Sequence, residues 1–186
     1  MAKRYLCLLA SALILFTGCG GNEQGSESSQ GKQTAVEAGK TAAPCKLVEP
    51  CELISGGEAA GLLGEAVQEG KYGEQQAVGL KKCFYEAAAS DKFLQITVQQ
   101  PDFMAPQVRA AGQSPQSIFV ETRKMLVDGR IDLAGFGDEA FIGTGGLHML
   151  SGDYYITIGV GNPDRDGNRQ KLEAAARLAL NKLPRR

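Results

Sequence analysis

The chain holds a single histidine, His148, and one loop in which oxygen-bearing side chains recur at every second position: Asn162-x-Asp164-x-Asp166-Gly167, followed by Glu173. The loop has the spacing of a calcium site, with oxygens at positions one, three, five and twelve and glycine at six for the sharp turn. Three features argue for a structural turn instead. Position one is Asn162 rather than Asp, Arg169 stands at position eight, and a strand rather than a helix leads in. Each polar group also has an ordinary use. Asp166 or Asn168 can cap the helix that follows, and Glu173 can face the positive end of its dipole. The loop is expected not to hold calcium, and no metal ligand is assigned.

His148 alternates with Leu147 and Met149, so it should point away from the core face, with no second ligand or nucleophile near it in sequence. It is expected to be structural. Ser151 lacks the strained strand-to-helix turn that exposes a serine nucleophile, so a Ser/His/Asp triad has no support. Gly143-Thr144-Gly145-Gly146 is followed by neither Lys-Ser/Thr nor a helix, as a phosphate cradle would be, and reads as a hairpin turn. Asp138 and Glu139 are adjacent, so on a strand they face opposite sides and cannot act as an acid–base pair. No catalytic and no cofactor-binding residue is assigned.

The N-terminus carries chemistry of another kind. Lys3 and Arg4 precede an almost wholly apolar run from Tyr5 to Phe16, and Thr17, Gly18 and Cys19 follow. A basic start, a short apolar run and small residues are the layout of an export signal. The run is well short of the roughly 20 residues that a membrane-spanning helix needs. Phe16-Thr17-Gly18-Cys19 resembles the lipobox of bacterial lipoproteins, with Phe16 where the family usually has Leu and Leu15 one position before it. The resemblance implies that Cys19 is lipidated and becomes the first residue after cleavage. Gly20 stands where Asp would retain such a protein in the inner membrane, which implies outer-membrane delivery in a host with two membranes. One acyl chain anchors weakly, at about 0.8 kcal/mol per buried methylene. The several chains that this family carries on one cysteine would hold the protein to the membrane durably.

Cleavage divides the chain into a signal over residues 1–18, a lipidated cysteine with a tether over 19–44, and one domain over 45–186. Loss of Lys3 and Arg4 from the 20 basic residues leaves 18 against 21 acidic ones, so no basic face is implied and nucleic acid is not an expected partner. Residues 20–44 carry few and small apolar side chains among Gly, Ser, Gln and Glu, too few to offset ordering entropy. Such a tether has an r.m.s. reach of roughly 25–30 Å. Of the five cysteines, Cys7 leaves with the signal and Cys19 carries lipid, so Cys45, Cys51 and Cys83 remain. In an oxidising compartment they can pair. A Cys51–Cys83 bridge is expected, with Cys51 just before the first helix and Cys83 in the first strand; Cys45–Cys51 and Cys45–Cys83 are the rival pairs.

The elements that position these residues are legible from caps and periodicity. Ser55-Gly56-Gly57-Glu58 is a capping box, and Gly64 stands where a left-handed stop is wanted, so a short helix spans 56–63. Residues 80–87 and 93–100 read as a hairpin. In its second strand Leu94, Ile96 and Val98 alternate with Gln95, Thr97 and Gln99, giving one buried and one wet face. Ser114-Pro115 opens a helix whose Ile118, Phe119, Thr122, Met125 and Leu126 share a face. Strands over 139–142, 147–150 and 154–160 follow, joined by short turns. Leu172, Ala175, Ala176, Ala179 and Leu183 stripe a last helix that stops at Pro184. The order α-β-β-α-β-β-β-α predicts an α+β domain, an antiparallel sheet of about five strands with helices packed on it.

That order resembles the PsbP-like fold. Cys51-Glu52-Leu53-Ile54, Cys83-Phe84-Tyr85 and Gly135-Phe136-Gly137-Asp138-Glu139-Ala140 resemble motifs of small envelope lipoproteins of unknown function. The resemblance spans residues 45–183 and brings no catalytic residue. Together these readings predict a lipid-anchored envelope lipoprotein facing the periplasm or the outer surface. It would be a non-enzymatic module that binds an unidentified protein or small molecule, with the membrane as partner through Cys19. Two other readings stay open: an envelope hydrolase or ligand-processing enzyme with a loop-borne site, and a structural part of an envelope assembly.

Overall fold

The computed structural model describes residues 47–184; the signal, Cys19, the tether and Cys45 lie outside the described residues. Alternating apolar side chains give the central strands a face to bury, and the strands join in one antiparallel sheet. Its members are β1 (Lys71–Gln75), β2 (Leu80–Glu86), β3 (Phe93–Gln99), β4 (Ile131–Leu133), β5 (Glu139–Gly143), β6 (Gly146–Ser151) and β7 (Tyr154–Gly159), in the order β1-β2-β3-β7-β6-β5-β4. The helices are α1 (Pro50–Leu53), α2 (Gly56–Leu63), α3 (Pro106–Ala110), α4 (Pro115–Met125) and α5 (Asp166–Lys182). No helix among the described residues is long and apolar enough to cross a membrane.

The α+β class and the antiparallel sheet agree with the sequence, but the sheet has seven strands rather than five. The two extra strands are its edges. In β1, Lys-Tyr-Gly-Glu-Gln has no apolar alternation because it buries almost nothing. The three residues of β4 are too few to show a period. Helices α1 and α3 are also additions, each opened by a proline.

Register decides which side chains share a face. Cys83 pairs with Ile96, Ile96 with Ile158, and Ile158 with Leu147, so all four lie on one face. That face packs against Leu53 and Ile54 at α1, Ala59 and Leu63 of α2, and the Leu172–Ala175–Ala176–Ala179 stripe of α5. On β3 the opposite face, with Gln95, Thr97 and Gln99, is expected to be wet. Instead Phe141, Leu150 and Tyr155 meet Phe119 of α4 in a second core. The Phe119 ring lies 5.4 Å from Tyr155, edge-on, and 5.5 Å from Phe141. Thr97 and Gln99 are buried too. The Thr97 hydroxyl bonds that of Thr157, and Gln99 Nε2 donates to the Val78 carbonyl at 3.1 Å.

The expected caps of α2 are present. Ser55 accepts from the Glu58 backbone N–H while the Glu58 carboxylate accepts from Ser55 N–H, and Gly64 is left-handed at φ 76°. Glu58 also accepts from Lys182 Nζ at 2.6 Å, tying α2 to α5. Ser114 and Ser117 form a second capping box on α4. The expected apolar face of α4 holds for Phe119, Ile118 and Leu126 but not for Met125, which is 75% exposed. Six residues past Phe119, it stands about 120° round the helix, at 3.6 residues per turn.

Phe119→Ala should lower unfolding stability by about 3–5 kcal/mol, the cost of a large cavity. Met125→Ala should change it by no more than about 0.5 kcal/mol. Urea unfolding of the two variants checks both, and equal losses would mean that α4 is not seated by Phe119.

Candidate functional site

Cys51 and Cys83 form a disulfide, Cα to Cα 5.3 Å. Cys51 lies inside α1 rather than before the first helix, so the bridge joins α1 to β2. Gly70 lies against it. A Cβ there would come 2.8 Å from Tyr85 Cε1 and 3.0 and 3.2 Å from the Sγ atoms of Cys83 and Cys51. Only glycine lets the chain pass this close on its way into β1. Tyr85, buried beside the bridge, donates its hydroxyl proton to the Ile54 carbonyl at 2.7 Å. Outside the bridge opens a cleft of about 530 Å³ walled by Cys51, Gly56, Val67, Gly70, Tyr72 and Tyr85. Its walls are mostly apolar, with Glu69 as the acid among them.

The Gly135-Phe136-Gly137-Asp138 stretch is a hook. Phe136 enters the main core, with the Arg177 guanidinium 4.5 Å above its ring. Gly137 has φ 62°, and a Cβ there would meet the Leu150 carbonyl oxygen at 2.3 Å. Asp138 then accepts from the Gly152 backbone N–H at 2.6 Å, closing the β6–β7 turn. Glu139 pairs instead with Arg123 on the surface. The two acids thus serve separate structural contacts.

His148 faces away from Leu147 and Met149, as alternation requires, yet it is buried in the second core. Its ring stacks on Phe141 with centroids 4.7 Å apart. Nε2 lies 3.3 Å from the Thr144 carbonyl and Nδ1 2.7 Å from the Tyr155 hydroxyl. A carbonyl can only accept, so Nε2 carries the proton and Nδ1 accepts from Tyr155. Both ring nitrogens are satisfied, and the ring is braced rather than poised for catalysis. Ser151 and His148 are neighbours on β6 but point to opposite faces.

The Asn162–Glu173 stretch is a compact turn. Asn162 Oδ1 accepts from Asp164 N–H at 2.8 Å, and Asn168 Nδ2 donates to the Asn162 carbonyl at 2.9 Å. The N-cap position of α5 is Arg165, which makes no side-chain bond; Asp166 opens the helix and Asn168 lies inside it, so neither holds the N-cap position. Glu173 is seven residues past Asp166, which opens α5, and so about 10 Å along the helix axis. That is beyond the first turn, where the dipole acts. The turn forms one wall of a second cleft of about 460 Å³, at the end of the sheet where β3, β4 and β6 begin. Phe93, Asp128, Thr144, Asn162 and Asp164 line it. Phe93 carried no motif and Asp128-Gly129 reads only as a helix stop, and only the topology brings their loops together. Among the described residues no group of three or more His, Cys, Asp or Glu side chains could hold a metal ion.

Compared with protein-family models, with curated proteins and with solved structures, the chain matches none.

Burial holds the His148 imidazole below its ordinary range, opposed by a smaller upward pull from the Thr144 carbonyl. The unfolded chain therefore binds a proton more readily than the folded one. This contribution to stability is complete above the unfolded value of about 6.5 and falls as pH drops below it. Glu58 acts in a separate window. Hydrogen bonding from Lys182, then from the Ser55 backbone, lowers its pKa to about 2. Its share is present above the unfolded carboxylate range and is lost as pH falls through about 2. Urea midpoints should decline from about pH 7.5 to about pH 5 in the wild type, and His148→Gln should flatten that slope. An unchanged slope would remove His148 as its source.

Proposed function

We propose that this chain is a lipid-anchored lipoprotein of the bacterial cell envelope whose domain is a non-enzymatic binding module. The observation that carries the reading is the run from Lys3 to Cys19, basic, then apolar, then small, with the polar residues 20–44 behind it. Lipid on Cys19 holds the protein to the membrane, at the outer membrane in a host that has one. The Cys51–Cys83 disulfide supports export, because such bonds persist in oxidising compartments. The non-catalytic reading is supported by His148, whose two nitrogens are both engaged in the second core. The likeness to PsbP-like domains belongs to the same proposal and rests on element order.

A second reading, a structural part of an envelope assembly, is favoured by β1. It is an edge strand, and Tyr72 within it is 69% exposed. Such edges invite pairing with another chain.

Cys19→Ser should block lipidation and cleavage, leaving a longer, unlipidated precursor. Mass spectrometry of the wild-type protein from cell envelopes should find acyl chains on an N-terminal Cys19. An unmodified Cys19 would sink the anchor.

A further inference from the structure

We propose that the cleft at the Phe93 end of the sheet is a binding site for an uncharged carbohydrate. The inference rests on the reading of the domain as a binding module and names its ligand class.

Position comes first. Val48 bonds the side chain of Gln100, just past the C-terminal end of β3. Phe93 opens β3 at its other end. Seven strand residues separate the two ends by roughly 20 Å, at about 3.3 Å per residue. The cleft therefore opens at the end of β3 opposite Gln100 and Val48. Three loops meet there: the α4–β4 connection with Asp128, the β5–β6 turn with Thr144, and the β7–α5 connection with Asn162 and Asp164.

Its size and chemistry select the ligand. About 460 Å³ falls in the range of small-molecule sites, about 300–1,000 Å³. No Lys, Arg or His side chain lines the cleft, so an anionic ligand would find no counter-charge there. Asp128 and Asp164 have no ion pair or side-chain hydrogen bond among the described residues, whereas Asp132 and Glu139 nearby are both paired to Arg123. Both free carboxylates are exposed, so solvent and salt screen their attraction for a cation. Asn162 Oδ1 is already committed to its own loop, so it is not a ready metal ligand. Two carboxylate acceptors, the Thr144 hydroxyl and the Asn162 amide N–H groups are partners for ligand hydroxyls. Phe93 offers an apolar ring, braced by Phe84 at 5.5 Å, for the C–H face of a sugar.

The cleft also has a built-in reporter. The Thr144 carbonyl accepts from Nε2 of His148, the only histidine of the chain. A ligand on the Thr144 hydroxyl would displace that turn and shift the single imidazole signal.

The test is a titration of the full-length chain with triacetylchitotriose and with cellotetraose. It is followed by saturation-transfer NMR on the sugar and by the His148 imidazole resonance. At least one sugar should bind and shift the His148 signal. The exposed double variant Asp128→Ala/Asp164→Ala should weaken that binding by about tenfold or more, the loss expected from hydrogen bonds to charged groups. Its unchanged melting temperature would show that the fold is intact. Binding unaffected by the double variant would overturn the site. No response to either sugar, or a response only to calcium chloride or spermidine, would overturn the ligand class. Cys19→Ser should leave sugar binding unchanged, so failure of the anchor and failure of the site are read separately.

Discussion

The fold depends on where the side chain of Gln100 goes. It is 1% exposed, and its amide makes two buried bonds to one residue. Oε1 accepts the Val48 N–H at 2.7 Å, and Nε2 donates to the Val48 carbonyl at 2.9 Å. A buried amide left unpaired costs about 1–3 kcal/mol per group, so this side chain is committed to Val48. With Val48 fixed, Glu49 reaches Lys81, Pro50 opens α1, and Cys51 arrives at Cys83. Lys81 is itself nearly buried, and the hydrogen bond to Glu49 is the main reason its ammonium holds its proton more firmly than usual. Glutamine here does what a neighbouring strand would do, with the same donor and acceptor.

A second constraint comes from the middle of the sheet. Strands β6 and β7, and β5 beyond Glu139, are buried on both faces, so every second residue that would be polar on a half-covered strand must find a partner or be apolar. Phe141, Leu150 and Tyr155 are the apolar answer under α4, and His148 and Thr157 are the polar one. Helix α4 is short, and a single phenylalanine supplies its deepest contact. The half of the sheet beyond α4 stays open and carries Phe84, Phe93 and Gln95 on that face, each partly exposed.

Several local signals were legible in the sequence. The Ser55–Glu58 box, the Gly64 stop and the α5 stripe stand where residue types and spacing place them, and of the three possible cysteine pairs the expected Cys51–Cys83 bridge is present. Signals that depend on what lies across the sheet were not. Gln99 and Thr97 look like a wet face until the Val78 carbonyl and the Thr157 hydroxyl engage their polar atoms. Tyr72 and Gly73 look like a loop until β2 pairs with them. The Asn162–Glu173 spacing suggested one cluster of oxygens, but α5 begins at Asp166 and carries Glu173 away along its axis. In the same way, Phe93, Asp128 and Thr144 share a cleft only because antiparallel strands return three distant loops to one end.

The route of the chain into the domain also sets how it meets tension. A pull at Leu47 is borne first by the two Gln100 bonds to Val48. Three residues later it reaches a covalent link into β2. From there it passes to β3 and β7 through the ladder of paired strands. The stretch between Cys51 and Cys83, with α2 and β1, is bypassed, because the disulfide closes it into a ring that cannot be drawn out. Stretching stops where the sheet begins.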